Sequence, residues 1–339
     1  QLEKYINNAV VVSGSSPVLI DSYLRDAIEV DIDTLSDGND FYIAGILEHI
    51  EEAGVHSGDS ACSMPPFSLS KDLINDLKMN VIRIAKAMNV KGLMNVQFAI
   101  KNKDIFILEV NPRASRTVPF VAKVSGNPIA KIATKLMIGS KLAELEYNEN
   151  EMDHIAIKEA VFPFKRFPGV DTILGPEMRS TGEVMGIDKE FGIAFAKSQI
   201  ASGTKVPLDG VVFVSVKDLD KEKIFHPVKD LENMGFSILA TGGTCDFLEK
   251  KGIKTERINK VLQGAPHIVD AINDNNISLV FNTTETPQAI KDSKSIRRSS
   301  LENGIPYYTT VSGAVAAVAG IKSIKEDEMD VIPIQLYKK

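Results

Sequence analysis

The most regular patterning in the chain runs from Met94 to Asn111. Met94-Asn95-Val96-Gln97-Phe98-Ala99-Ile100 alternates polar and apolar residues, and Ile105-Phe106-Ile107-Leu108-Glu109 follows a polar turn, Asn102-Lys103-Asp104. Such runs predict two strands. A three-residue loop centred on Lys103 sets Gln97 opposite Glu109. Because side chains alternate across a strand, Gln97, Glu109 and Asn111 then share a face while Val110 points away. Pro112 ends the ladder, and Arg113 and Arg116 follow at its mouth.

Other elements are read the same way. Residues 29–33 alternate acidic and apolar and mark a strand with an acidic face; residues 41–50 form another, ending near His49. Before them, residues 17–30 read as a short strand with apolar Val18-Leu19-Ile20, a turn and a second strand. Ser70 reads as an N-cap for a helix over 71–88, with Leu73, Leu77, Ile84 and Met88 at helical spacing. Asn127-Pro128 opens a helix through Met137, ended by Gly139. Residues 141–202 are mixed and broken by Pro163, Pro168 and Pro176. From about Gly203 the character changes. Residues 210–216 are a continuous apolar run, as in a buried parallel strand. A helix over 221–234, a strand over 236–240, Thr241-Gly242-Gly243-Thr244 and a strand over 278–281 follow. Alternating strands and helices predict a doubly wound sheet, with ligands beyond the carboxyl ends of its strands.

The polar residues give these elements a chemistry. A carboxylate and amide oxygens suit Mg²⁺, and arginines beyond them suit phosphate oxygens. That combination serves phosphoryl transfer, although an amphipathic hairpin wetting its polar face has the same pattern. A strand delivering Thr241-Gly242-Gly243-Thr244 to a helix presents N–H groups and hydroxyls to a phosphate. His49 and His154 have no sequence-local partners, and Arg297-Arg298 reads as a solvated pair. Composition adds bounds only. The 339 residues allow two or three domains, 44% hydrophobic and 25% charged residues are ordinary, and a net charge of −6 argues against nucleic acid. Two distant cysteines fit a reducing, cytoplasmic setting, and no apolar run suits a membrane span. Gln1-Leu2-Glu3-Lys4-Tyr5-Ile6 reads as a helix already in progress, so a fragment is expected. Gly14-Ser15-Ser16-Pro17 has too little glycine for a phosphate-covering loop.

Three segments carry a family resemblance: residues 51–61 (EEAGVHSGDSA), residues 92–98 (GLMNVQF) and Arg116-Thr117-Val118-Pro119-Phe120-Val121. They resemble the large subunit of carbamoyl-phosphate synthetases, and specifically its second ATP-grasp half. Residues 168–171 and 175–183 match the same family, and the C-terminal part resembles its methylglyoxal-synthase-like regulatory domain. The resemblance implies an α/β chain: an α+β ATP-grasp C-terminal part followed by a doubly wound methylglyoxal-synthase-like domain. The expected divisions are 1–140, a truncated synthetic half; 141–203, its remainder and connection; and 204–339, the allosteric domain.

The resemblance also assigns residues. Ser22, Leu24, Glu29, Gly54, Val55, His56 and Ser57 match positions around adenine and ribose, Ser22 replacing a histidine of enterobacterial relatives. Gln97 and Glu109 would touch ATP and metal, Asn111 would complete the metal set, and Arg113 and Arg116 would face the transferred phosphoryl and carbamate. Two Mg²⁺ or Mn²⁺ ions per ATP site are implied, with K⁺ as a further cation. Ser215, Lys221, Thr241, Thr244, Lys260, Asn282 and Thr284 match effector contacts for UMP, IMP or similar molecules. Thr286-Pro287-Gln288 stands where enterobacterial members carry Gly-Arg-Arg, which leaves the effector's identity open. The implied reaction is phosphorylation of carbamate, feeding pyrimidine and arginine synthesis. No Cys–His pair for glutamine hydrolysis is evident, so a glutamine amidotransferase small subunit and the first half of the large subunit are expected partners, and the 339 residues alone are expected to be inactive. The competing readings are another ATP-grasp ligase, a nucleotide-sensing module without turnover, and a free-standing methylglyoxal synthase.

Overall fold

The computed structural model describes residues 20–148, 152–167, 169–284 and 286–337, together with residues 3, 6, 7, 17 and 18. The turn read at residues 14–17 and the helix read at 1–6 fall largely outside these, as does Leu19; Pro17, Val18 and Ile20 belong to no strand.

Seven antiparallel strands form the first sheet: β1 (Ile28–Ser36), β2 (Phe41–Glu52), β3 (Cys62–Met64), β4 (Gly92–Lys101), β5 (Asp104–Asn111), β6 (Ile155–Val161) and β7 (Gly182–Asp188), in the order β5-β4-β1-β2-β3-β6-β7. Strand β1 shows why both faces are dry. Its Val30 and Ile32 join Leu77, Val81 and Ala85 of helix α1 (Lys71–Ala87), capped by the Ser70 hydroxyl. On the opposite face, Leu35 and the neighbouring Leu47 pack with Val118, Phe120 and Val121 of α2 (Val118–Ser125) and with Ile132 and Leu136 of α3 (Ile129–Met137). The acidic residues of β1 alternate into that second layer and are buried, not wetted.

The hairpin differs in one respect from its sequence pattern. Its loop has two residues, Asn102 and Lys103, both at positive φ, and Lys101 pairs with Asp104. That is the geometry a tight hairpin turn demands. A β-bulge at Leu108 restores the lost residue, so Gln97 still faces Glu109 and Asn95 faces Asn111.

Five parallel strands form the second sheet: β8 (Val211–Ser215), β9 (Ser237–Thr241), β10 (Thr255–Ile258), β11 (Leu279–Asn282) and β12 (Tyr307–Tyr308), ordered β10-β9-β8-β11-β12. Helices α5 (Lys221–Asn233), α6 (Gly242–Lys250), α7 (Ile268–Asn273), α8 (Pro287–Asp292), α9 (Lys294–Asn303) and α10 (Val311–Glu326) connect and cover it. The mixed stretch 141–202 contains β6, β7 and α4 (Phe191–Ala201), which local patterning misses. Helix α4 is apolar nearly all round because it is sandwiched: β6 and β7 lie on one side, α10 on the other.

One hydrophobic core spans both sheets, joining Ile50 and Ile157 to Phe195, Val214, Phe281 and Ala317. Small residues make this approach possible. A Cβ on Gly186 would lie 1.9 Å from the Ala194 carbonyl oxygen and 2.5 Å from the Ser198 amide nitrogen. Because backbone atoms cannot swing away, Gly186→Ala must displace α4 from β7. It is expected to destabilise the chain by about 3 kcal/mol, at the upper end for overpacking, as a lower urea midpoint.

Candidate active site and effector site

The first site lies on the α2-facing layer of the β5-β4-β1 ladder. Register places Asp31 beside Gln97 and Asp33 beside Asn95, with Glu109 and Asn111 on the next strand. Glu109 is exposed. Its Oε1 accepts from Asn111 Nδ2 at 2.7 Å, and Asn111 Oδ1 accepts from Arg113 Nη2 at 3.2 Å. Gln97 donates toward Ser57 Oγ at 3.5 Å. One carboxylate and two amide oxygens form a hard-oxygen donor set, the kind that holds Mg²⁺ alongside phosphate oxygens rather than caging it. Among the described residues no cluster of three His, Cys, Asp or Glu side chains offers an alternative metal cage.

A loop from Gly54 to Ser60 borders this face. Gly54 has φ +100°, open to glycine at little cost, and its N–H donates to Glu29 Oε2 at 3.1 Å. Glu29 is thus buried and turned toward the loop's backbone, with burial raising its pKa. Val55 continues the turn, its N–H on the Glu52 carbonyl. Leu24 packs with Ala27, Ala53 and Ala99, and Ser22 is exposed. His56 Nδ1 accepts the Gly58 N–H at 2.9 Å, and its Nε2 lies 3.0 Å from Arg116 Nη1. Burial, then the Arg116 charge, lowers the His56 pKa. The structure therefore brings Gln97, Glu109, Asn111, Ser57, His56, Arg113 and Arg116 to one surface.

Several residues in this region were not legible as a site. His49, without a partner in sequence, has its Nε2 3.0 Å from Asp31 Oδ2 and is wholly buried. Burial alone would depress its pKa, but Cys62 and Asp31 hold it well above the usual histidine value. His154 also has partners, Asp153 and the Val124 carbonyl. Lys158 on β6 is buried and donates to the Ser57 and Ser60 carbonyls at 3.0 and 2.6 Å. Beside it lie Glu51 and Glu159, both pushed well above the carboxylate range by burial. Glu159 accepts from Gln199, whose Oε1 accepts from Tyr308 OH on the second sheet. The only sequence signal for this cluster is its charged residues inside otherwise apolar strands.

The second site lies at the carboxyl ends of β8, β9 and β11. Ser215 Oγ and Thr241 Oγ1 are 2.8 Å apart, and register sets Asn282 beside Ser215. Thr241 is the N-cap residue of α6, and Lys221 Nζ lies 3.2 Å from where a Cβ of Gly243 would be. Thr244 accepts the Val216 N–H, and Asn282 donates to Tyr307 OH at 2.8 Å. Lys260 opens a neighbouring turn, and Thr284 follows the strand end. Thr283, absent from the sequence-derived set, is buried and accepts the Lys217 N–H at 3.0 Å. Thr286 caps α8. Arg298 is a surface residue paired with Glu302, but Arg297 corrects the solvated-pair reading. Its side chain is buried and makes two 2.7 Å hydrogen bonds to Asp171, tying α9 to the segment that also reaches His56 and Arg116.

Two stretches of the chain match known domain families. Residues 1–145 match the carbamoyl-phosphate synthase L chain, ATP binding domain, and residues 223–309 match the MGS-like domain. An ATP-binding domain of the carbamoyl-phosphate synthase L-chain type coupled to an MGS-like module is the class these define. Carbamoyl phosphate synthase large chains of Rhizobium meliloti and Archaeoglobus fulgidus are 56% and 50% identical to this chain, covering 96% and 99% of it but 28% and 31% of their own length. The chain is similar to the C-terminal part of carbamoyl phosphate synthase large chains. It thus spans about 30% of those relatives. The biotin carboxylase domain of a thermophilic 2-oxoglutarate carboxylase superposes with TM-score 0.44 at 16% identity, covering 59% of this chain and 51% of that one. So low a score adds nothing to the assignment. Among the described residues no helix is long and apolar enough to cross a membrane.

Proposed function

We propose that this chain supplies the carbamate-phosphorylating half of a glutamine-dependent carbamoyl phosphate synthase, with a C-terminal effector domain. The observation that carries the reading is the shared face of Gln97, Glu109 and Asn111 with Arg113, Arg116 and His56 at its mouth. A carbamate oxygen attacks the γ-phosphorus of ATP; the new O–P bond forms as the bond to the β-phosphate oxygen breaks, giving carbamoyl phosphate and ADP. No protein group is modified. Glu109, Gln97 and Asn111 would hold Mg²⁺ or Mn²⁺, which neutralises phosphate charge. Arg113 and Arg116 offer guanidinium donors to the equatorial oxygens and the carbamate, and the Gly54–Ser57 backbone borders the nucleotide. Ser22, Leu24, Glu29, Val55 and His56 are assigned to the nucleotide's surroundings, and K⁺ is a proposed additional cation.

The proposed partners are a glutamine amidotransferase small subunit as ammonia source and the first half of the large chain as carbamate source, all in the cytoplasm. The proposed divisions are residues 1–140, 141–203 and 204–339. Arg116→Ala in the complete large chain is the test: ATP formation from MgADP and carbamoyl phosphate, the reverse of this half-reaction, should fall about a hundredfold. An unchanged rate would remove the arginine from the mechanism.

For the C-terminal site we propose a phosphorylated small molecule such as UMP or IMP, bound by Ser215, Thr241, Thr244, Asn282, Thr284, Lys221 and Lys260. Removing one charged contact, Lys260→Ala, should weaken binding by about one to two decades. Calorimetry with UMP, IMP and inorganic phosphate checks this, and equal affinity of the variant would remove Lys260 from the site.

A further inference from the structure

Asp33 is wholly buried in β1 and has no part in the mechanism above. Its environment is nevertheless built with care. Oδ1 accepts from Ser115 Oγ at 2.7 Å and from Asn95 Nδ2 at 3.0 Å; Oδ2 accepts from Thr117 Oγ1. Ser115 and Thr117 are the two residues on either side of Arg116, so one carboxylate holds both flanks of that arginine. Their hydroxyls also lie 2.7 Å from each other. Thr117 occupies the N-cap of α2 yet makes no capping hydrogen bond, its hydroxyl being turned to Asp33 instead. A threonine cap commonly stabilises a helix, and this helix forgoes it. The third donor, Asn95, sits two residues before Gln97 and opposite Asn111. Asp33 therefore joins the strand carrying Gln97 to the loop carrying Arg116.

Resting on the phosphoryl-transfer reading, we propose that Asp33 is a positioning residue, fixing Arg116 relative to the Gln97–Glu109–Asn111 face. A buried carboxylate suits the task because it accepts from several donors at once and cannot be satisfied elsewhere. Removing it leaves the ligands of the nucleotide in place and lets the arginine wander, a misplacement that costs rate more than affinity.

The test is a double-mutant cycle in the complete large chain, following ATP formation from MgADP and carbamoyl phosphate. Asp33→Asn should lower kcat about tenfold while KM for MgADP stays within about twofold. Arg116→Lys keeps a charge but loses the planar fork; adding Asp33→Asn to it should cost less than about twofold more. A full tenfold further loss in the Arg116→Lys background, or a wild-type kcat for Asp33→Asn, would overturn the proposal. If Asp33→Asn fails to fold, Ser115→Ala and Thr117→Val each remove one tether and should show smaller losses that likewise vanish in the Arg116→Lys background; losses that persist there would overturn it. An Arg116→Lys enzyme with unaltered kcat would instead sink the role given to Arg116 itself.

Discussion

Glu109→Gln in the complete large chain is expected to lower carbamoyl phosphate synthesis by about a hundredfold to a thousandfold. Glu109 is the sole carboxylate of the Gln97–Glu109–Asn111 set, so the substitution replaces its one charged oxygen donor by a neutral amide. The change is nearly isosteric and the residue is exposed on an edge strand, so folding should be untouched. Its contact with Asn111 Nδ2 can be kept by the glutamine oxygen. The loss should fall on turnover, with bicarbonate-dependent ATP hydrolysis by the other half of the large chain continuing. Product formation at the parental rate would show that the metal is held elsewhere.

Lys158→Ala should have the largest effect on stability. The ammonium is buried, holds the Ser57 and Ser60 carbonyls, and lowers the cost of burying Glu51 and Glu159. Its removal takes a charged donor from both carbonyls, leaving that of Ser60 with the Cys62 thiol, and strips both carboxyls of a favourable charge. Breaking buried charge compensation of this kind costs about 3–5 kcal/mol. Urea denaturation of the 339-residue chain should show the lower midpoint, and a midpoint within experimental error of the parent would refute the compensation argument. Because the same ammonium anchors residues 57–60, the residual folded fraction should also present Ser57 less firmly to Gln97.

How much of this was legible depended on how local the information is. The hairpin was legible because alternation and turn chemistry sit within eighteen residues, 94–111. Even its loop length could be misjudged without harm, since the bulge at Leu108 restored the facing of Gln97 and Glu109. The strand–TGGT–helix turn was legible for the same reason. Glu29, Asp31 and Asp33 were readable as one face of a strand but not as a buried face. What covers them comes from elsewhere in the chain: the Gly54 loop over Glu29, His49 against Asp31, and the start of α2, more than eighty residues on, over Asp33. Helix α2 itself was hidden by Pro119 and by an N-cap threonine engaged with Asp33. Strands β6 and β7 and helix α4 were obscured because α4 is covered on two sides and so lacks a polar face. The partnerships of His49 with Asp31, Lys158 with the Ser57 carbonyl and Arg297 with Asp171 join residues 18, 101 and 126 positions apart. No spacing rule reaches that far.

The central claim is that the Gln97–Glu109–Asn111 face transfers a phosphoryl group between ATP and carbamate. The most direct measurement is ATP formation from MgADP and carbamoyl phosphate by the complete large chain, comparing the parent with Glu109→Gln. This direction needs neither glutamine nor the carbamate-forming half. The account predicts ATP from the parent and a rate at least about a hundredfold lower from the variant. Equal rates from the two proteins would contradict it.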